Sequence, residues 1–199
     1  MLKLTVRLQS AAAPPGSFPA QPKTLYRAGS RYCRIEEMPD TENNIQGLLI
    51  TSAPDTWMVD LIAKTARHTL EQASPSACKL QIFGLAVDTK PGDAEKDPLN
   101  KLEFGRELAF FKENGATGEK GPTFQGHDTT GYRLNIDQSK LVLFTSGSPE
   151  KPVGLVMARD SQPEMFLYDK YEELKFDPKL FEKPADVKIV ETGGSKPGK

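Results

Sequence analysis

The chain has 199 residues, of which 37% are hydrophobic, and its 26 Lys and Arg residues nearly balance 27 Asp and Glu residues. This length fits one large domain with a substantial core better than two small domains. Because the charges nearly cancel and no basic block stands out, the composition does not indicate electrostatic binding to nucleic acid or to an anionic membrane. No apolar run approaches the roughly 20 residues that a membrane-spanning helix needs.

The first 70 residues have the pattern of consecutive β-strands. Apolar and polar residues alternate over residues 2–8, which is the period of a half-buried strand, and no continuous apolar stretch of a signal peptide precedes them. A loop rich in Pro and Gly covers residues 11–21, and short turns separate the segments that follow. These links are too short for helical crossovers, so we predict a meander of about five or six antiparallel strands.

A hairpin over residues 45–62 stands at the centre of this block. Pro54 and Asp55 favour a turn between two β-rich runs, because proline presets φ and aspartate can hydrogen-bond its own backbone. The second run holds Trp57, the only tryptophan, which needs a large apolar surface to pack against.

The middle of the chain has the one clearly signalled helix, over residues 98–114. Asp97 can cap it, Pro98 suits its first position and Gly115 can end it. At about 100° per residue, its apolar side chains fall on two nearly opposite sides. We therefore expect a helix that is covered on both sides or that lines a cavity. The segment before it is apolar over residues 76–87, where a strand and a short helix are both compatible, and polar over residues 88–96.

A second block of strands follows a glycine-rich polar loop. Four strand-like runs lie between residues 131 and 169, a short turn covers residues 176–181, and residues 187–190 have the pattern of a last strand. We predict a single domain over residues 1–190 and a disordered tail over residues 191–199. The fold class is α+β and mostly β, with a large antiparallel sheet that is strongly curved because sheets of that many strands curl.

Catalytic patterns in the chain are weak. Ser76 and Lys79 match a Ser-x-x-Lys pattern, but its companion motifs are absent, so we interpret the match as coincidental. His68 and His127 lie far apart in the sequence, and no nucleophile motif accompanies either of them. We therefore expect no catalytic residue, no enzymatic activity and no cofactor.

The two cysteines, Cys33 and Cys78, lie too far apart to suggest a metal centre. A zinc site needs about four clustered ligands, so no metal site is expected. A disulfide and a pair of buried free thiols both remain open.

Large apolar side chains are the most informative remaining feature. Such sets belong to an ordinary core more often than to a ligand-binding cavity, but the two-sided helix favours a cavity here. The set consists of Trp57, Met58, Phe104, Leu108, Phe111, Phe144, Met157 and Phe166.

Three segments resemble the periplasmic lipoprotein-carrier superfamily, which comprises LolA-like and outer-membrane lipoprotein-sorting proteins. Residues 24–36 read TLYRAGSRYCRIE, and residues 53–60 read APDTWMVD. The C-terminal segments FDPKLFEKP, at residues 176–184, and VKIV, at residues 187–190, resemble the end of the same superfamily.

This resemblance implies an incomplete barrel, or half-barrel, wrapped around one or more helices and enclosing a hydrophobic cavity for acyl chains. It also implies a periplasmic or cell-envelope location after removal of a signal peptide, with peripheral or lipid-anchored membrane association. Such carriers have several helices inside the sheet, whereas only one is signalled here. We therefore favour a relative of unknown ligand over the housekeeping carrier itself.

The resulting hypothesis is a non-enzymatic envelope protein that binds a lipid or an acylated lipoprotein between the concave sheet and the helix. Arg31 or Arg34 would meet a polar head group at the rim. The alternative is a protein-interaction or envelope-stress-sensing module with the same half-barrel fold, which a filled concavity and an exposed apolar edge would favour. The predicted cavity wall consists of Trp57, Leu102, Phe104, Leu108 and Phe111.

Overall fold

The computed structural model describes residues 1–11, 13–70, 78, 98–159 and 162–190. Within these ranges, six strands belong to the first block: β1 (Leu2–Gln9), β2 (Lys23–Ala28), β3 (Tyr32–Glu36), β4 (Gly47–Ser52), β5 (Asp55–Asp60) and β6 (Thr65–Leu70). Six more follow: β7 (Glu119–Lys120), β8 (Thr130–Ile136), β9 (Ser139–Ser146), β10 (Lys151–Arg159), β11 (Gln162–Glu173) and β12 (Lys188–Ile189). The helical segments are α1 (Glu107–Glu113) and 3-10 turns at Phe18–Ala20, Pro98–Lys101 and Pro178–Phe181. None of these helical segments is long and apolar enough to cross a membrane.

All twelve of these strands form one sheet, in the order β12-β6-β5-β4-β3-β2-β1-β11-β10-β9-β8-β7. Two antiparallel meanders meet where β1 pairs with β11. The pair β12–β6 is parallel and short, joining Lys188 and Ile189 to Thr65 and Ala66. Because the strands at the two ends of this order do not pair with each other, the described sheet is open. The predicted mostly β fold with an incomplete antiparallel barrel is confirmed.

One face of the sheet, called the helix face below, packs against α1 and the residues before it. Leu25, Leu143, Leu155 and Phe166 point to this face and are fully buried. The seven-residue helix α1 contacts β8, β9 and β10, while the segment before it reaches β11 and β2 through Phe104. Helix α1 and the short segment before it can together touch strands from β2 to β8 only if the sheet curves around them, as sheets of this size do.

The opposite face, called the outer face, carries a second and smaller core over β3 to β6. Leu48, Ile50 and Val59 point to it, because successive side chains of a strand point to opposite faces. Phe181 and Val187 from the C-terminal segment cover these residues. The C-terminal segment therefore packs on the side of the sheet that is opposite to α1.

The prediction of one continuous helix over residues 98–114 is wrong. The 3-10 turn ends at Lys101, and α1 begins only at Glu107. Between them Gly105 has a φ of +80°, which interrupts a right-handed helix. Leu102 and Phe104 consequently lie outside the helix, which explains why the apolar residues did not form a single helical stripe.

The predicted C-terminal end of the helix is confirmed. Gly115 has a φ of +82°, and the Ala116 amide donates to the carbonyl of Phe111 at 3.0 Å. This is the pattern of a helix that ends in a left-handed glycine.

The cysteines form a disulfide, which decides between the two alternatives left open by the sequence. The Cα atoms of Cys33 and Cys78 lie 5.6 Å apart, and both residues are fully buried. The carbonyl of Cys78 also accepts a hydrogen bond of 3.0 Å from the Phe104 amide. Residue 78 is thus attached both to β3 and to the segment that precedes α1.

Other predictions have mixed outcomes. The short turn near the C-terminus is confirmed as Pro178–Phe181, and the last strand is limited to Lys188–Ile189. Except for Cys78, the segments 76–87 and 88–96, the Asp97 cap and the tail 191–199 lie outside the described residues. The single domain over residues 1–190 stays a prediction.

Candidate functional site

Four of the five predicted wall residues lie together on the helix face. Leu102, Phe104 and Phe111 are buried with 0–1% exposure, and Leu108 packs against the same core. The ring of Phe104 meets the ring of Phe166 edge-on at a centroid distance of 5.7 Å. In the described part of the chain, these four residues therefore belong to the main core of the helix face.

The fifth predicted wall residue, Trp57, lies on the outer face. Its Cα partner in the neighbouring strand is Ile50, which belongs to the second core. The indole stacks on the imidazole of His68 with ring centroids 4.1 Å apart, and Nε2 of His68 forms a hydrogen bond of 2.7 Å with Oδ1 of Asp55. The structure therefore does not bring Trp57 together with the residues around α1.

The two predicted head-group arginines hold parts of the fold together. The Arg31 guanidinium donates to the carbonyl of Ala53 at 2.8 Å, which joins two turns. Arg34 pairs with Glu36 at 2.6 Å and donates to the carbonyl of Leu180 at 2.9 Å. Both side chains are thus engaged by the protein itself, and their role towards a head group stays a prediction.

A buried polar cluster connects the segment before α1 to the sheet, and the sequence interpretation missed it. Arg27 on β2 pairs with Glu103 and donates to the carbonyl of Phe104 at 2.6 Å. Glu107, at the start of α1, accepts hydrogen bonds from Tyr168 at 2.7 Å and from the amide of Gly105 at 2.9 Å. No spacing pattern announces such a cluster, because its members come from distant parts of the chain.

The electrostatics of this cluster are dominated by burial. Desolvation raises the pKa of the Glu107 carboxyl, although its hydrogen bond from Tyr168 acts in the opposite direction. Burial also raises the pKa of Tyr168 well above its ordinary value, and that of Tyr171 to about 12. Because Arg27 and Glu103 balance each other's charge, a charged Glu107 would leave an excess negative charge in the core. This cluster holds the segment before α1 on the sheet.

An open groove, called the edge groove below, lies on the helix face at the β3–β6 side of the sheet. It has a volume of about 430 Å³. Leu102, Phe104, Leu108 and Phe111 do not line it. Most of its lining residues point to the helix face: Ile35, Glu37, Gly47, Leu49, Met58, Asp60, Thr65 and Arg67. The lining also includes Val190 and three residues of the outer core, Leu48, Val59 and Ala66.

A row of cross-strand neighbours forms the apolar floor of the edge groove. Ile35 on β3 faces Leu49 on β4, Leu49 faces Met58 on β5, and Met58 faces Arg67 on β6. Exposure rises along this row, from 2% at Ile35 to 57% at Met58. The floor is therefore buried towards the main core and open towards the β6 edge of the sheet.

The acidic residues of the edge groove are engaged by the protein. Glu37 pairs with Lys23 at 2.5 Å, and its carboxylate lies over Gly47, where it would clash with a Cβ atom. Asp60 accepts hydrogen bonds from the amides of Ile62 and Ala63 at 2.9 and 3.1 Å. Both carboxylates therefore lie at one end of the groove, where the protein itself supplies their ion-pair and hydrogen-bond partners.

A second groove, of about 520 Å³, lies near the start of β1 and the turn after β2. Arg27, Arg106 and Glu173 contribute charged groups to its lining. Arg27 is already held by Glu103. It shares no lining residue with the edge groove.

The described residues contain no group of three His, Cys, Asp or Glu side chains that could hold a metal ion. Ser76 and Lys79, which carry the Ser-x-x-Lys pattern, lie outside the described ranges. His68 is stacked on Trp57, and His127 forms a backbone bridge with Phe124. His68 thus lies on β6, whereas His127 lies in the loop between β7 and β8.

Comparisons with known proteins support the fold. No family model and no curated protein matches the chain. An uncharacterized conserved protein from Thermus thermophilus has a similar structure, with a TM-score of 0.53 and 8% identity over 95% of this chain and 88% of that one. A LolA superfamily protein from Nitrosomonas europaea also matches, with a TM-score of 0.37 and 9% identity over 92% and 89% of the two chains. At 8% identity, the similarity to the Thermus thermophilus structure bears on the fold alone.

Proposed function

We propose that the protein binds a lipid or another molecule with an acyl chain, and that it does so without catalysing a reaction. The alkyl chain would lie in the edge groove, on the row formed by Ile35, Leu49 and Met58. The observation that carries this proposal is the open apolar row that continues into a closed core. Leu102 and Phe104 belong to that core, at the inner end of the same sheet face.

The dimensions of the edge groove suit such a ligand. Its volume of about 430 Å³ falls within the range of about 300–1,000 Å³ that is usual for small-molecule sites. The row from Ile35 to Arg67 crosses three inter-strand spacings of about 4.8 Å each, a span of about 14 Å. An alkyl chain of about eight methylenes that is removed from water there would gain about 6 kcal/mol.

The disulfide supports a location outside the reducing cytosol. Cys33 and Cys78 are bonded and fully buried. Disulfides persist mainly in secreted and periplasmic proteins, because cytosolic thiols are kept reduced. A periplasmic or cell-envelope location and an acylated ligand are compatible with each other, and both are parts of this proposal.

A pair of matched variants tests the binding site. Met58→Asn removes an apolar side chain that is 57% exposed from the floor of the groove. Leu70→Asn removes an apolar side chain that is 58% exposed from the other face of the sheet. We expect Met58→Asn to weaken the binding of a dodecyl amphiphile about tenfold in calorimetric titrations, because about 1.5 kcal/mol of apolar contact is lost. Leu70→Asn should bind like the wild type. Equal affinities of all three proteins would show that the groove is not the site.

The second candidate is a protein-interaction module, and two observations favour it. Phe104 and Phe111 are fully buried in the main core, and β12 pairs with only Thr65 and Ala66 of β6 among the described strands. The remainder of β6, with Leu70 exposed, could pair with an extended segment of a partner.

Native mass spectrometry separates the two functions. A retained amphiphile supports lipid binding, whereas a protein that binds no amphiphile at any concentration supports a docking module.

A further inference from the structure

We propose that the ligand of the edge groove is an anionic amphiphile and that Arg67 binds its head group. This inference rests on the proposed function and assigns a chemical class to the ligand. The shared chemistry is a carboxylate or a phosphate monoester attached to an alkyl chain.

Arg67 ends the apolar row at the open side of the groove. It is the cross-strand partner of Met58, so the two side chains start about 5 Å apart on the same face. The row before it is apolar from Ile35 through Leu49 to Met58. An alkyl chain lying on this row with its tail towards the core would therefore place its head group beside the guanidinium.

The guanidinium of Arg67 has no hydrogen-bond or ion-pair partner among the described residues, and its side chain is exposed. Two other cations in this part of the sheet are engaged, since Lys23 pairs with Glu37 and Lys64 pairs with Asp186. A guanidinium presents a planar set of donors that matches carboxylate and phosphate oxygens. Arg67 is thus available for an anion, whereas Lys23 and Lys64 are paired.

The acidic residues of the groove do not occupy the position of the proposed head group. Glu37 and Asp60 lie in the next row along the strands, with Gly47 and Thr65. Glu37 is neutralised by Lys23, and Asp60 accepts backbone amides. The charge that remains uncompensated at the open end of the apolar row is therefore positive.

The experiment compares three probes with a twelve-carbon chain: dodecanoate, dodecyl phosphate and monolaurin, which is the neutral glycerol ester of dodecanoic acid. Their affinities for the full chain are measured by calorimetric titration at low and high salt. We expect at least one anion to bind about tenfold more tightly than monolaurin, because hydrogen bonds to charged groups are the stronger ones. High salt should reduce this advantage, since the head group is exposed. The anion that binds more tightly identifies the source of the head group, a fatty acid or a phosphorylated lipid.

Variants then assign the effect to Arg67. Arg67→Gln should lower the affinity for the anions to that for monolaurin and leave monolaurin binding unchanged, while Arg67→Lys should keep part of the preference. Arg133→Gln is the matched control, because Arg133 is an exposed arginine on β8 that pairs with Glu119 at the other end of the sheet.

The possible failures are distinguishable. If the wild type binds neutral and anionic probes equally and Arg67→Gln has no effect, the head-group assignment is wrong. That result would not affect the proposal that the groove binds an acyl chain. Absence of binding of all three probes would overturn the proposed function as well.

Discussion

Replacement of Glu107 by glutamine tests the buried polar cluster that joins α1 to the sheet. One carboxylate oxygen of Glu107 is bonded to Tyr168 and to the amide of Gly105, while the other is buried without a hydrogen-bond partner. Burial raises the pKa of this carboxyl in the folded protein above its ordinary value of about 4.3. The folded state consequently binds more protons than the unfolded state at any pH between these two pKa values.

The direction of the pH dependence follows from this difference. The stabilisation associated with neutral Glu107 is fully present below the unfolded pKa and is lost as the pH rises towards the folded pKa. The loss amounts to about 1.4 kcal/mol for each pH unit in that window. Glutamine retains the accepting oxygen and does not titrate, so the stability of Glu107→Gln relative to the wild type should increase with pH by the same amount.

The assay is urea unfolding of both proteins at about pH 5, 6 and 7, above the unfolded pKa of about 4.3. Glu113→Gln serves as the control, because Glu113 lies in the same helix with its side chain 66% exposed. We expect the difference in free energy of unfolding between Glu107→Gln and the wild type to grow with pH. The corresponding difference for the control should stay constant. A constant difference for Glu107→Gln would refute the argument that burial raises the pKa of this carboxyl.

Two further predictions concern the core. Reduction of the Cys33–Cys78 disulfide, or replacement of both cysteines by alanine, should lower the free energy of unfolding by about 4 kcal/mol for a separation of 45 residues. An unchanged urea midpoint would contradict the presence of this disulfide. Phe104→Ala should cost about 3–5 kcal/mol because the ring is fully buried, whereas Phe176→Ala, which removes a ring that is 47% exposed, should cost much less. Similar losses in thermal unfolding would show that Phe104 is not a central core residue.

The sequence predicted the strands well, since their pattern is local. Alternation at Leu4, Val6 and Leu8 corresponds to one buried face of β1, and short turns impose antiparallel neighbours. The pairing of β1 with β11 closes a separation of more than 150 residues and has no local signal. Fold class could therefore be predicted from the sequence, while the complete strand order could not.

The candidate site was predicted less well, for reasons that lie in backbone geometry. Gly105 interrupts the expected helix by a positive φ, and glycine is compatible with several conformations, so its presence alone did not decide the matter. Trp57 and Met58 are adjacent on β5 and must point to opposite faces. That alternation was visible in the sequence and could have shown that only one of the two residues faces the apolar row.

The proposed position of an acyl chain in the edge groove can be tested directly through the five methionine side chains. Met58 lies in the edge groove, Met157 packs against the core near α1, and Met38 is exposed in a loop. With ¹³C-labelled methionine methyl groups, addition of dodecanoate should shift the Met58 resonance and leave that of Met38 unchanged. A shift of Met157 without a shift of Met58 would place the ligand between α1 and the sheet and contradict the assignment of the edge groove.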